Sequence, residues 1–152
     1  MTKAEQFFES IKNKKIAFIG TGVSHNDLIE MFLGKGLDVT VCDKKSREAM
    51  GELAERFEAK GAKLSLGEKY LDAIYSSNIV FRTPGMYFNA PELRKAMDMG
   101  IVVTSEMEVF FDLCPCKIYG ITGTDGKTTT TTIISEVLAG SGKTVHKGGN
   151  IG

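Results

Sequence analysis

The sequence predicts an α/β protein: a parallel β-sheet with helices on both faces, followed by the opening of a second, incomplete βαβ unit. Three observations predict it. Short apolar runs alternate with segments of helical period, most helical segments close at a glycine, and the alternation repeats along the 152-residue chain. Parallel strands need a crossover, usually a helix, so this order is what a parallel sheet requires.

The elements follow in turn. "KKIAFIG" (14–20) is an apolar strand ending in glycine, and Leu28, Ile29, Phe32 and Leu33 then give a helical face closed by Gly34 or Gly36. "LDVTVCD" (37–43) is the next strand. Ala49, Met50, Leu53, Ala54 and Phe57 predict one helix, with Gly61 as its stop. "AKLSLG" reads as a short strand and "NIVFRTPG" (78–85) as a strong one. Leu93, Ala96 and Met97 predict a helix ending at Gly100, and "IVVTS" (101–105) a fifth strand.

Composition changes at "DLCPCK" (112–117), where proline and short side chains mark a connection. Beyond it the pattern predicts a strand (117–122), a glycine loop, a helix over about 127–139 and a short strand in "KTVHKGG". Residues 1–113 therefore read as one domain and 117–152 as the start of another. So short a unit cannot bury a core alone, since chains below about 40 residues usually need support. Ile133, Ile134, Val137 and Leu138 are then expected to form an exposed apolar patch.

Composition excludes several classes. The chain has 19 basic and 19 acidic side chains and no basic stripe, which argues against a nucleic-acid binder. The N-terminus, "MTKAEQFFESIKNKK", is a short amphipathic pattern rather than a signal peptide or membrane span, so a cytoplasmic protein without a membrane partner is the default. Cys42, Cys114 and Cys116 are an odd count with no second pair or nearby histidine, which favours reduced thiols over a metal site. His25 and His146 stand apart in the sequence, and neither is a metal candidate.

The chemistry concentrates in "KIYGITGTDGKTTTTT" (117–132). Threonine is a poor helix former, yet five of them open the helix. A phosphate ligand resolves the conflict. Loop amides and the first helical turn point at an anion, and the helix dipole adds about half a positive charge there. Lys127 would reach the β- and γ-phosphates, and the Thr128 hydroxyl would ligate Mg²⁺. The general pattern is G-x-x-x-x-G-K-[ST], and Ile121 stands where its first glycine belongs.

"IGTGVSHNDL" (19–28) opens as G-x-G-x-x at a strand-to-helix turn, with Asp43 ending the next strand. This is a Rossmann-like arrangement, although His25 replaces the third glycine of the dinucleotide fingerprint. A tight packing turn, a nucleotide-diphosphate site and an NAD site all remain open on these residues. Lys44 and Lys45 beside Asp43 are either a solvated run or a rim facing a phosphorylated ligand. "RTPG" (82–85) fits a turn at the carboxyl edge of the sheet, where ligands bind in such folds.

The order of these pieces resembles the Mur ligases, ATP-dependent amino-acid ligases of bacterial cell-wall synthesis. "GITGTDGKTTTT" is similar to the family's "TGTNGKTTT", with Asp125 where asparagine is usual. "TPG" resembles its "SPG" turn, and "GGNIG" (148–152) its segment of the same sequence. "IAFIGTGVS", "VTVCDKK" and "VFRTPG" are most similar to the member that adds D-glutamate to UDP-N-acetylmuramoyl-L-alanine. The resemblance implies that Val23, Ser24, Asp43, Lys44, Lys45, Thr83, Pro84, Gly85 and Asn150 serve the uridine-nucleotide substrate, Asp43 reading uracil. It implies ATP binding by Gly123, Thr124, Asp125, Gly126, Lys127, Thr128 and Thr129, with Lys127 catalytic and Thr128 on Mg²⁺. The implied chemistry is ATP phosphorylation of a substrate carboxylate, then attack by the amine of D-glutamate on the acyl phosphate. The family's other Mg²⁺ ligands, its modified lysine and its amino-acid domain have no counterpart here, so these residues are expected to be the inactive N-terminal part of an enzyme. A monomer is the default. A nicotinamide-dependent oxidoreductase domain and a non-catalytic nucleotide-binding module are the alternatives.

Overall fold

A computed structural model of the chain describes residues 1–149, the side chain of Ser24 excepted. The chain divides into two compact units, Met1–Pro115 and Cys116–Gly152.

The first unit is built on a five-stranded sheet in the order β3-β2-β1-β4-β5. The strands are β1 (Lys15–Ile19), β2 (Asp38–Asp43), β3 (Lys63–Leu66), β4 (Ile79–Phe81) and β5 (Val102–Thr104). Every pairing is parallel, with Ile16 opposite Val39 on one side of β1 and opposite Ile79 on the other. The chain winds outward from β1 in one direction through β3, then crosses back to β4. The carboxyl ends of β1 and β4 therefore border the reversal point, where open α/β sheets bind ligands.

The period-two alternation of a strand sorts the core onto two faces. Ile16 and Phe18 of β1, Val39 and Val41 of β2 and Phe81 of β4 pack with Ile29, Phe32 and Leu33 of α2 (Val23–Gly34). The same face takes Phe7 and Phe8 of α1 (Lys3–Ile11). Ala17 and Ile19, Cys42 and Val80 point the other way, onto Ile74 of a 3₁₀ turn (Asp72–Ser76) and Leu93 and Ala96 of α5 (Pro91–Asp98). Phe18 is the centre of an aromatic cluster: its ring stacks on Phe81 at 4.6 Å and meets Phe32 edge-on at 5.3 Å. Burial pushes the Cys42 thiol up to about 12, so it behaves as a small apolar core residue.

Several expectations need correction. The helix expected over 49–57 is two, α3 (Arg47–Met50) and α4 (Glu52–Ala59), because Gly51 ends the one and caps the other. The strand expected at 78–85 pairs only over Ile79–Phe81, since the chain turns away through Thr83–Gly85. Two elements were not expected, the 3₁₀ turn and α6 (Glu106–Leu113). The α6 signal was present: Ser105 accepts from the amide of Glu108 in the manner of an N-cap.

In the second unit the expected helix forms as α7 (Lys127–Gly140), but the strands expected at 117–122 and in 143–149 do not. A strand is defined by its ladder, and these segments pair with nothing among the described residues. The βαβ unit is thus reduced to loop and helix. Ile133, Ile134 and Val137 of α7 are exposed.

Replacing the fully buried Phe18 with alanine should cost about 3–5 kcal/mol, because the cavity is walled by rigid rings. Urea denaturation followed by circular dichroism measures this, and a loss under 1 kcal/mol would contradict the packing.

Candidate functional site

At the end of β1 the backbone of Gly20 turns with φ +85°, a conformation other residues rarely adopt, and its amide donates to the Cys42 carbonyl at 2.8 Å. A Cβ built there would lie 3.4 Å from Thr83 Cβ. The turns following β1 and β4 are therefore in close approach, and glycine permits it.

Asp43, at the end of β2 and 8% exposed, fastens this corner. The Thr21 amide and hydroxyl donate to its Oδ2 at 2.8 and 2.6 Å, and the Lys45 amide donates to its Oδ1 at 2.9 Å. Burial alone would raise the Asp43 carboxyl; the bonds from Thr21 and Lys45 and the Lys45 charge outweigh it and hold the group below the usual carboxylate range.

His25 is buried behind the turn. Its Nδ1 donates to the Gly20 carbonyl at 3.1 Å, and its ring meets Phe18 edge-on. Its Nε2 has no partner among the described residues. The position that a dinucleotide fingerprint leaves to glycine is thus filled by a packed imidazole, while α2 still begins at Val23 with Gly22 as N-cap.

An open cleft of about 470 Å³ lies at the carboxyl edge of the sheet. Of the residues expected to serve a uridine nucleotide, Asp43, Lys44, Thr83 and Gly85 line it. Val23, Lys45 and Pro84 are not among the lining residues. Val23 is exposed on the first turn of α2, Ser24 follows it, and Lys45 gives its amide to Asp43. Asn150 lies outside the described residues. Sequence reasoning missed Tyr70, Met86, Tyr87 and Glu92. Tyr70 falls in a stretch without periodicity, and Glu92 looks like an ordinary first-turn acid of α5. Met86 and Tyr87 could have been found, because they directly follow the TPG turn.

The second unit presents a different geometry. Gly126 is the N-cap of α7 at φ 74° and supplies no side-chain cap, so the opening amides of the helix lack a protein partner of that kind. The Lys127 ammonium folds back over the loop and donates to the carbonyls of Gly123 at 2.7 Å and Thr124 at 3.1 Å. Thr124, Asp125, Thr128 and Thr129 are exposed around it. Farther along, the Thr131 hydroxyl bonds back to the Lys127 carbonyl at 2.8 Å, a use for threonine inside a helix. Among the described residues no cluster of His, Cys, Asp or Glu could hold a metal by itself, and none of the helices is long and apolar enough to cross a membrane.

The sequence profile of the Mur ligase MurD-like N-terminal domain matches residues 14–105. A UDP-N-acetylmuramoylalanine–D-glutamate ligase of Clostridium novyi is 49% identical over 97% of the chain, which spans 32% of that relative's length. A pseudomurein peptide ligase of type C from Methanothermus fervidus is 29% identical with TM-score 0.53, over 86% of this chain and 27% of that one. The UDP-N-acetylmuramate–alanine ligase of Thermotoga maritima is 25% identical with TM-score 0.54, over 83% of this chain and 29% of that one.

Asp43→Asn removes the charge that three donors share and sets an amide NH₂ against one of them. At pH 7 it should destabilise the chain by about 1.5–3 kcal/mol. Because the folded carboxyl is depressed, its contribution is present above the unfolded value of about 4 and is lost as pH falls through the folded value. The gap between wild type and variant in urea titrations should therefore close below about pH 4; a gap independent of pH would refute the assignment.

Proposed function

The chain belongs to the Mur ligase MurD-like N-terminal-domain family, and on that premise we propose that it is the nucleotide-sugar-binding and ATP-loop portion of an ATP-dependent ligase. The parent reaction is the addition of D-glutamate to UDP-N-acetylmuramoyl-L-alanine in peptidoglycan synthesis, carried out in the cytoplasm. Residues 1–113 act as the uridine-nucleotide domain and 117–152 as the start of the ATP-binding domain. The observation that carries the reading is the cleft at the sheet's reversal point, with Asp43, Lys44, Thr83 and Gly85 on its walls.

The α7 loop supports the ATP half of the proposal. Lys127 holds its ammonium against the loop carbonyls of Gly123 and Thr124, a position from which it can turn onto phosphate oxygens. The opening amides of α7 supply the remaining donors, with Gly126 leaving their approach open. Thr128, an exposed residue in the first turn of α7, would offer Mg²⁺ an oxygen ligand of the hard kind that it prefers. Held there, the ion would supply neutralisation of phosphate charge. The residues of this chain position the γ-phosphoryl group, on which phosphoryl transfer chiefly depends. Asp125 adds a carboxylate to the rim of the loop.

Two features weigh against a nicotinamide site. The carboxylate that would read a ribose already accepts from the Thr21 amide and hydroxyl and the Lys45 amide, which occupy three of its about four acceptor positions. The third fingerprint glycine is a buried histidine.

Calorimetry of this chain should register binding of UDP-N-acetylmuramoyl-L-alanine and none of NADH; the reverse preference would overturn the proposal. In a full-length ligase carrying this segment, Lys127→Ala should lower kcat by about 10²–10³-fold. Steady-state phosphate release measures it, and turnover near wild type would remove Lys127 from the mechanism.

A further inference from the structure

The Gly20–Thr21 peptide is held at both ends. Its N–H, the Thr21 amide, donates to Asp43 Oδ2 at 2.8 Å, and its carbonyl, on Gly20, accepts from His25 Nδ1 at 3.1 Å. The two grips come from different elements, the end of β2 and the start of α2. The plane of this peptide matters because Gly20 lines the cleft and stands against Thr83 of the turn after β4. A peptide that follows glycine rotates easily, since the ψ of glycine and the φ of its neighbour can counter-rotate with little movement of the flanking chain. One grip fixes one end of the plane. Two fix its tilt.

His25 is placed for the second grip. It is 2% exposed, and its ring meets Phe18 edge-on at 5.6 Å, while Phe18 stacks on Phe81 at 4.6 Å. The imidazole plane is therefore set by the aromatic cluster that joins β1 to β4, the strands whose following turns form this wall. A carbonyl only accepts, so the proton of the ring sits on Nδ1. Nε2 is buried without a partner among the described residues. An apolar side chain would fill the same space without leaving a buried nitrogen unsatisfied, so packing alone does not account for an imidazole here.

We infer that His25 is a positioning residue of the cleft. By donating from Nδ1 to the Gly20 carbonyl, opposite the Asp43 grip on the Thr21 amide, it sets the tilt of the Gly20–Thr21 peptide and hence the wall that Gly20 and Thr83 present to a ligand. The inference rests on the uridine-nucleotide reading above for the identity of that ligand, and the residue it adds acts through the backbone.

Three measurements on the intact chain test it, with His25→Leu and His25→Asn checked for folding by circular dichroism. Nitrogen-15 NMR of the wild-type imidazole at about pH 8 should show the Nδ1–H tautomer; a proton on Nε2 instead overturns the inference. Amide hydrogen exchange at Thr21, followed by NMR without ligand, should quicken about 5- to 10-fold in His25→Leu while the amide of Val41 keeps its wild-type rate. His25→Asn, whose side-chain amide offers an N–H near the place of Nδ1, should stay within about 3-fold of wild type. Calorimetry with UDP should follow the same order, about 5- to 10-fold weaker binding for His25→Leu and near-wild-type binding for His25→Asn. Should His25→Leu fail to fold, the tautomer and the exchange rate in His25→Asn decide. Unchanged Thr21 exchange and UDP affinity in His25→Leu, or equal losses in both variants, overturn this inference alone. No UDP binding by wild type overturns the uridine-nucleotide reading, and Thr21 exchange then still decides whether His25 holds the peptide.

Discussion

The Asp43 carboxylate is the constraint on which the site depends. It receives the Thr21 amide and hydroxyl from the turn after β1 and the Lys45 amide from the turn after β2. Both turns must adopt definite conformations to satisfy it. The bonds are charge-assisted and largely shielded from water, which makes them stronger than ordinary turn contacts. Removing any one donor would leave a buried charge less than satisfied, so the corner has one good arrangement. Gly20 then follows: with Thr21 held, its backbone must take the positive φ that brings Thr83 close.

That constraint also alters what Asp43 can do. A carboxylate offers about four acceptor positions, and three donors of the chain already use it. The residue that sequence resemblance marks as the reader of a base is therefore first a structural clasp. It shapes the wall on which a ligand would rest.

The sheet was legible because burial on both faces leaves apolar runs such as Ile16–Ile19, which no surface segment would carry. α2 and α5 were legible from their apolar period. What escaped notice was local geometry. Nothing in the period of residues 49–57 reveals that Gly51 divides the helix, and a 3₁₀ turn of five residues is too short to show a period. The candidate site was half-legible for a related reason. Glycines and Asp43 announce themselves because the backbone needs them, whereas Tyr70 reaches the cleft from the stretch after β3 and Glu92 from the first turn of α5, a juxtaposition no short motif encodes.

The phosphate loop shows the opposite relation between sequence and structure. Its motif is the most explicit in the chain, yet the strands expected to flank it are missing among the described residues. Local sequence suffices for the loop and helix, because Gly126 fixes the turn, Lys127 ties back to the Gly123 and Thr124 carbonyls, and Thr131 bonds within the helix. A strand has no such resources of its own, since its hydrogen bonds belong to its neighbours. The same difference explains the exposed Ile133, Ile134 and Val137. Their spacing prepares α7 for an apolar surface such as a sheet, and the burial they would contribute depends on one being formed beneath them.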